Sequence, residues 1–363
     1  MSEEAIVKLY IYHGTDRIGL VESITSLQWM PAWNDVGEFK LVCAPSEKNR
    51  TRLIKWATLY NPDTPHLAAV ITAVNTETDK MTVRGQFSLC RFKQRVAKGS
   101  RTITDATAGL LEVCRTNLRG LPITVPESAA FTAPCEETVE WTDCCSAIVQ
   151  LAKAGGFGVR VRFDKLTAAE TLELYQGTDR SRQGSENYHG FFGTRMRNLS
   201  SPALDDDGSD YANVILCGGE KPTEQDNWKQ LFLEVGDTTS AGTDRHELWV
   251  DGSSVTHRYT IQKADGSTEE ATYSETEYKT ALTNYATAAL LDHLGGLTLK
   301  ATATDKLLCY GKEYELGDIV PLRVPELGLT ASARVSSVKL IYEQTGRSVQ
   351  PVFDNITLGG DTI

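Results

Sequence analysis

Tyr314-Glu-Leu-Gly-Asp-Ile-Val320, continued by Leu327-Gly-Leu-Thr330, Ala333-Arg-Val-Ser-Ser-Val338 and Val349-Gln-Pro-Val-Phe353, reads as a β-meander that closes a barrel. Each run alternates apolar with polar side chains, and Gly317-Asp318, Gly328 and Thr345-Gly346 supply turn residues between the runs. A period of two puts one face of a strand into a core and the other toward water or a neighbour. A C-terminal stretch of this kind needs earlier strands to pair with. The expected partners are Leu297 to Ala303, the strands beginning near residues 172 and 213, and a β domain in residues 6 to 98.

The 363 residues exceed one ordinary core and predict two or three domains. No apolar run reaches the length of about eighteen residues that a membrane helix needs, and the N-terminus lacks the basic and apolar regions of a signal peptide. Synthesis in a cytoplasm is therefore expected. A net charge of −11 opposes a surface built to grip phosphates, which needs clustered Lys and Arg. The eight cysteines form no C-x-x-C pair and no zinc spacing, so they read as free, mostly buried thiols.

Residues 1–98 read as a small antiparallel β domain. It opens with the hairpin Ile6 to Val21 around His13-Gly-Thr-Asp-Arg17. The strands Ser26 to Trp29, Glu38 to Cys43, Leu67 to Val74 and Lys80 to Arg84 follow, with a short amphipathic stretch carrying Leu53, Ile54 and Trp56. Residues 99–165 read as a small α+β domain. One helix begins at the N-cap Asp105 and ends near Gly120; a second runs from about Thr142 to Gly155-Gly156, and the strand Gly158 to Phe163 follows it. Residues 166–363 read as a second β-barrel domain with a helical insertion around 236–296. Its helix is marked by the capping box Ser274/Glu277 and the stripe Tyr278, Leu282, Tyr285, Ala286 and Ala289. Leu172 to Arg180 echoes Leu9 to Arg17, which suggests a duplicated β module. An acidic loop is expected at Leu204 to Asp210.

The templates for chemistry fail on their own terms. Placing Gly208 at the sixth position of a calcium loop, for Asp205 and Asp207, puts Ala203 first and Val214 twelfth, so both obligatory carboxylates are missing. His246-Glu247 starts like a zinc-protease helix, but residue 250 is Val. Gly156 and Gly158 follow a helix, where a dinucleotide fingerprint must follow a strand. No nucleophile elbow or phosphate loop is present. Cys144 and Cys145 lie on an amphipathic helix, where buried thiols are the ordinary expectation. No catalytic, cofactor-binding or metal-binding residues are expected, and the protein reads as a non-enzyme that contacts other proteins.

Read in order, these stretches resemble the Gp37-like family of siphovirus tail proteins, the tail hub or baseplate hub proteins. The resemblance is carried by Arg17-Ile-Gly19, Ser26-Leu-Gln-Trp29 and Gly37-Glu-Phe-Lys-Leu41 near the start. Gly156-Phe-Gly-Val-Arg-Val-Arg-Phe163, Gly177-Thr-Asp-Arg180, Arg197-Asn-Leu199 and Tyr211-Ala-Asn-Val-Ile215 carry it in the middle. Arg245-His-Glu, Val250-Asp251 and Leu316-Gly-Asp-Ile-Val320 carry it late in the chain. The family usually closes on Phe-Gly, whereas Phe353 is followed here by Asp354, so the last strand is expected to end or pair differently.

The resemblance implies a mainly β fold of two related antiparallel β-barrel domains with small α/β modules, assembled as a homotrimer. It implies a ring at the tail tip of a virion that joins the tail tube protein and distal tail protein to tail fibre or spike proteins, beside the tape measure protein. DNA would pass through the ring without specific binding. A tail-tip cell-wall hydrolase and a carbohydrate-binding receptor module are the alternatives.

Overall fold

The computed structural model describes residues 7–181, 191–206, 208–224, 226–262, 268–293, 297–304 and 308–358. It is mainly β with α+β modules, and the main sheet curls into a half-barrel. That sheet has thirteen strands. From one edge it runs Asp16–Leu20, Tyr10–His13, Thr58–Tyr60, Ala68–Thr76, Met81–Phe87, Glu38–Cys43 and Ile24–Met30. It continues without a break into Leu329–Glu343, Gly346–Leu358, Leu297–Ala303 and Leu199–Asp206. Ile319–Val324 pairs with Leu329–Glu343 as a further strand.

The join between the early and late strands is an antiparallel ladder in which Trp29 faces Leu340 and Leu27 faces Tyr342. Alternation decides which side chains go inward. Leu27, Trp29, Phe39, Leu41 and Val83 from the early strands share one core with Val335, Leu340, Val349 and Phe353 from the late ones. Trp29 is fully buried, and its Nε1 donates to Thr64 Oγ1 at 3.0 Å. Tyr342, also buried, donates to Asp63 Oδ2 at 2.9 Å, tying a late strand to the 61–64 turn.

The closing meander forms, with fewer and longer strands than its pattern suggests. Leu329–Glu343 has 15 residues and Gly346–Leu358 has 13. The runs Leu327 to Thr330 and Ala333 to Val338 merge into the first of these, with register irregularities between Ser332 and Arg334 and between Val335 and Ser337. The first run, expected from Tyr314, becomes strand only at Ile319, because Gly317 takes a left-handed φ of +87°. Asp354 does not end the last strand; it sits opposite Arg334, and pairing runs on to Leu358.

Two expected partners of the meander lie elsewhere. Glu170–Tyr175 pairs with Gly158–Phe163 and Ile123–Thr124 in a separate sheet, since Leu172, Val159 and Val161 are buried against the helical module. Val214–Gly218 is the centre of another three-stranded sheet, between Phe232–Gly236 and Glu247–Asp251. The echoed segments Leu9 to Arg17 and Leu172 to Arg180 therefore occupy different sheets. The expected acidic loop at 204–210 begins inside a strand, as Leu199–Asp206 reaches its first carboxylates; Asp207 lies outside the described residues, as do 182–190.

By contacts the chain divides into two compact units, Met1–Asp205 with Leu297–Ile363, and Asp206–Gly296. In the first, helices Ala106–Asn117 and Cys144–Gly155 pack over the Gly158–Phe163 sheet. Asp105 caps the first through the N–H groups of Thr107 and Ala108, and Asp143 caps the second through Ser146 N–H, satisfying donors that have no intrahelical partner. Gly156, at φ +65°, ends the second helix. In the second unit, Ser274 and Glu277 form the reciprocal capping box at the start of Glu275–His293. Tyr278, Leu282 and Ala286 of that helix cover Ile215 and Cys217. Tyr285 departs from the expected stripe and is exposed.

One buried ion pair links the helical module to the main sheet. Glu170 accepts from Ser88 Oγ at 2.7 Å and lies 2.6 Å from Arg91 Nε, while Arg91 Nη2 donates to Thr58 Oγ1. Removing one partner of such a pair leaves an uncompensated charge, at a cost of about 3–5 kcal/mol. Glu170→Gln is therefore expected to lower the urea midpoint at constant m-value. An unchanged midpoint would show that the pair contributes nothing to stability.

Candidate functional site

The residues tested for chemistry end up apart and mostly shielded. Cys144 and Cys145 are buried in the helix Cys144–Gly155, and burial pushes the Cys145 thiol up to about 12. Burial likewise raises Cys43 and Cys90 to about 11. Thiols held protonated in this way are poor nucleophiles. His246 stacks edge-on with Tyr211, and its backbone N–H donates to Asn213 Oδ1. Asp205 pairs with Lys300, 3.5 Å away. No group of three metal-ligating side chains occurs among the described residues. A depression of about 400 Å³ lies on the sheet between Lys40, Thr82 and Ala73. A second hollow of about 20 Å³ sits beside Asp35 and Tyr175.

The most elaborate polar geometry surrounds the Leu316-Gly-Asp-Ile-Val320 stretch. Asp318 is buried and accepts three donors: Thr178 N–H at 2.8 Å, Arg180 Nε at 2.7 Å and Glu315 N–H at 2.9 Å. Backbone bonds reinforce the clasp, from Ile319 N–H to Thr178 O and from Arg180 N–H to Ile319 O. Gly177 lies so close to Gly317 that a Cβ would overlap the carbonyl. On the other side of Gly317 sits the indole of Trp33, in space that side chains at Gly158 or Gly317 would fill. The Arg334 guanidinium stacks over Trp33 at 4.1 Å and donates to Gly317 O at 2.6 Å. Three parts of the chain meet at this junction: the Trp33 loop, the segment after Glu170–Tyr175, and the closing meander.

Thr178, Arg180, Trp33 and Arg334 were not singled out by pattern. The first two fall in Gly177-Thr-Asp-Arg180, which reads as an echo of residues 14–17 and as part of the family resemblance, and Gly317-Asp318 read as turn formers. Gly317 does turn the chain. Asp318 does more, since it accepts donors from a segment about 140 residues earlier. Nothing in this arrangement resembles a nucleophile, a base and an orienting group; its chemistry is that of a clasp.

The surface carries what the interior does not use. Asp16–Leu20 ends the main sheet on one side and Leu199–Asp206 on the other, each with an outer edge that no described strand covers. Trp56, Trp141, Phe232 and Trp249 are large aromatic side chains left exposed. Trp56 and Trp141 also take left-handed backbone conformations, φ +72° and +40°, that bulky residues rarely adopt.

Gly177→Ala is expected to break the clasp, at an overpacking cost of about 1–3 kcal/mol in a chemical melt. Wild-type stability would mean the segment can step away freely. Asp354, opposite Arg334, has its carboxyl pushed above the ordinary range by burial, which outweighs the opposing Ser336 bond and Arg334 charge. The folded chain then holds the proton more tightly than the unfolded one, so this group's contribution to stability falls as pH rises from the ordinary carboxylate value through the raised one. Asp354→Asn is expected to raise stability at neutral pH and to remove that decline. A variant that parallels wild type across a pH series of melts would contradict it.

The fold is that of solved tail proteins. The 43 kDa tail protein of prophage MuSo2 from Shewanella oneidensis superposes with a TM-score of 0.55 at 12% identity, over 95% of this chain and 98% of that one. The tail protein from Neisseria meningitidis MC58 gives 0.55 at 12%, over 96% of each chain. Prophage tail protein gp18 from Listeria monocytogenes EGD-e gives 0.51 at 13%, over 96% of this chain and 94% of that one. No curated protein sequence matches the chain. Residues 122–354, which hold the clasp, the inserted unit and the closing meander, match the model of the Siphovirus ReqiPepy6 Gp37-like protein, and the chain belongs to that family.

Proposed function

We propose that this chain is a structural hub at the distal end of a phage or phage-like tail. Three copies form a ring that joins the tail tube and distal tail ring to fibre or spike proteins and gates DNA passage, next to the tape measure protein. In this reading residues 1–98 and 166–363 supply two related barrels, residues 99–165 a small module, and the inserted helix around 236–296 a further element. Two barrels per copy give a trimer six similar units to present to a sixfold tube above, and threefold symmetry to what hangs below. The protein is made in the host cytoplasm and resides at the tail tip of the virion. It acts through contacts and catalyses nothing.

The observation that carries the proposal is the coincidence of the family match with a whole-length likeness to tail-protein folds. Uncovered sheet edges support it, because a long edge strand left bare invites uncontrolled pairing, and a ring of copies would cover it. The buried thiols, raised well above neutrality, weigh against a cysteine hydrolase. The net charge of −11 supports a channel that repels DNA and so lets it slide.

Negative-stain imaging of purified protein, or of particles labelled through a tag on this chain, is expected to show a threefold ring at the tail tip. A monomer at every concentration that never enters tails would overturn the proposal. In the same reconstruction the lumen should carry negative potential; a neutral or basic lining would remove that part of it.

A further inference from the structure

Two exposed patches of opposite charge stand on the two units. The first lies at the corner of the main sheet around the terminal strand Asp16–Leu20. Ile18 and Leu20 are exposed there; the Arg52 guanidinium lies over the bare backbone of Gly19 on one face of the strand, and Arg17, opposite Tyr12, lies over the Tyr10 ring on the other, with Asp16 exposed beside it. His13 Nε2 donates to Arg52 O at 2.8 Å, and the Lys55-Trp56 turn lies between Arg52 and Thr58, which faces Tyr12. Trp56 is 56% exposed despite its left-handed φ of +72°. The chain holds a strained backbone there to point an indole at solvent, and Lys55 stands next to it, also exposed. None of Arg17, Arg52 or Lys55 has a carboxylate within ion-pair distance among the described residues.

The second patch is the face of the three-stranded sheet that points away from the helix Glu275–His293. Its inward residues, Ile215, Cys217, Leu233 and Val250, pack toward that helix. The alternate residues carry Phe232 and Trp249, 62% and 56% exposed, with ring centroids 6.3 Å apart across the bare backbone of Gly218. Glu234, Glu247 and Asp251 alternate with them on the same face, against Arg245, which bridges the two glutamates at 3.2 and 2.5 Å. Exposed aromatic pairs rimmed by charge are the usual anchors of protein interfaces.

We propose that the acidic Phe232/Trp249 face of one copy docks on the basic Trp56 corner of the next. This deepens the hub reading above and rests on it, naming the surfaces through which copies join. The occupant is a second copy because the chain itself carries both members of a complementary pair: aromatic anchors on each side, cations at one rim and carboxylates at the other. A nucleic acid would be repelled by the three carboxylates. A contact between two different patches of identical chains is heterologous, and such contacts close into a ring when the rotation fits. The same contact covers the bare edge of Asp16–Leu20.

The test uses the full chain and sedimentation velocity across a concentration and salt series, with circular dichroism to check folding. Wild type is expected to associate, more weakly as salt rises. Trp249→Ala and Trp56→Ala, both at exposed positions, should each weaken association by at least about tenfold, the scale of an interface anchor. Arg17→Glu with Lys55→Glu should do the same, as should Glu234→Lys with Glu247→Lys, and the chain carrying all four substitutions should recover association. A wild type that forms rings while both tryptophan variants and both charge reversals form them equally well overturns this inference and leaves the hub reading standing. A wild type that stays monomeric throughout overturns both. Failure of the fourfold variant to recover, with folding intact, refutes the pairing of these two patches.

Discussion

Everything in the larger unit depends on a strand near the end of the chain finding one near its start. Leu329–Glu343 pairs with Ile24–Met30 over only four residue pairs, yet that short ladder makes one sheet and one core out of segments some 300 residues apart. Closing so large a loop is slow and costs entropy before any contact offsets it. The contacts that follow are correspondingly dense: Trp29 and Leu340 meet in the core, and Tyr342 reaches the 61–64 turn through Asp63 and Asn61. A one-residue slip would turn Trp29 and Leu27 out to solvent and bring Gln28 in, so the alternation that forms the ladder also fixes its register.

The Asp318 clasp answers a different problem. Burial of apolar surface is non-directional; it brings the helical module onto the sheet without setting its angle. Carboxylate, guanidinium and backbone donors do set it. Asp318 has donors at three fixed positions, and Arg334 is held both by the Trp33 face and by Gly317 O. The cost shows nearby, where Trp33 Nε1 and Asp354 Oδ1 are buried without a partner among the described residues. A junction that tolerates such groups gives up stability for geometry.

Much of this was legible in local pattern. The hairpin at 10–20 follows from alternation around Gly14, and Asp105, Gly156 and the Ser274/Glu277 box mark helix ends because capping is a property of a few adjacent residues. Partner choice is not local, which is why Glu170–Tyr175 and Val214–Gly218 looked equally fit to join the meander and joined other sheets. The same gap hid the clasp: Gly317 announces a turn by its type, whereas Asp318 and Arg180 become a pair only after folding. Short periodicity does not fix exposure: Leu53, Ile54 and Trp56 form one amphipathic stretch in the sequence, although only Leu53 is buried. The family resemblance lies in the order of many weak stretches, none of them informative alone.

The division between a rigid interior and an unfinished exterior bears on function. A protein whose work is assembly needs its contact surfaces held at fixed angles before any partner arrives, since each ordered side chain or loop left to the docking step subtracts from affinity. The clasp and the Glu170–Arg91 pair supply that fixity within the larger unit, between sheet and helical module. The capping box and the Tyr278–His257–Trp228 stack, with ring centroids 3.4 and 3.8 Å apart, supply it within the smaller one. Among the described residues the surface carries bare strand edges and three outward tryptophans, two of them on strained backbone. Strain kept at solvent-facing aromatics, in a chain whose interior is otherwise capped and clasped, has a physical rationale if those side chains are buried later, by another protein.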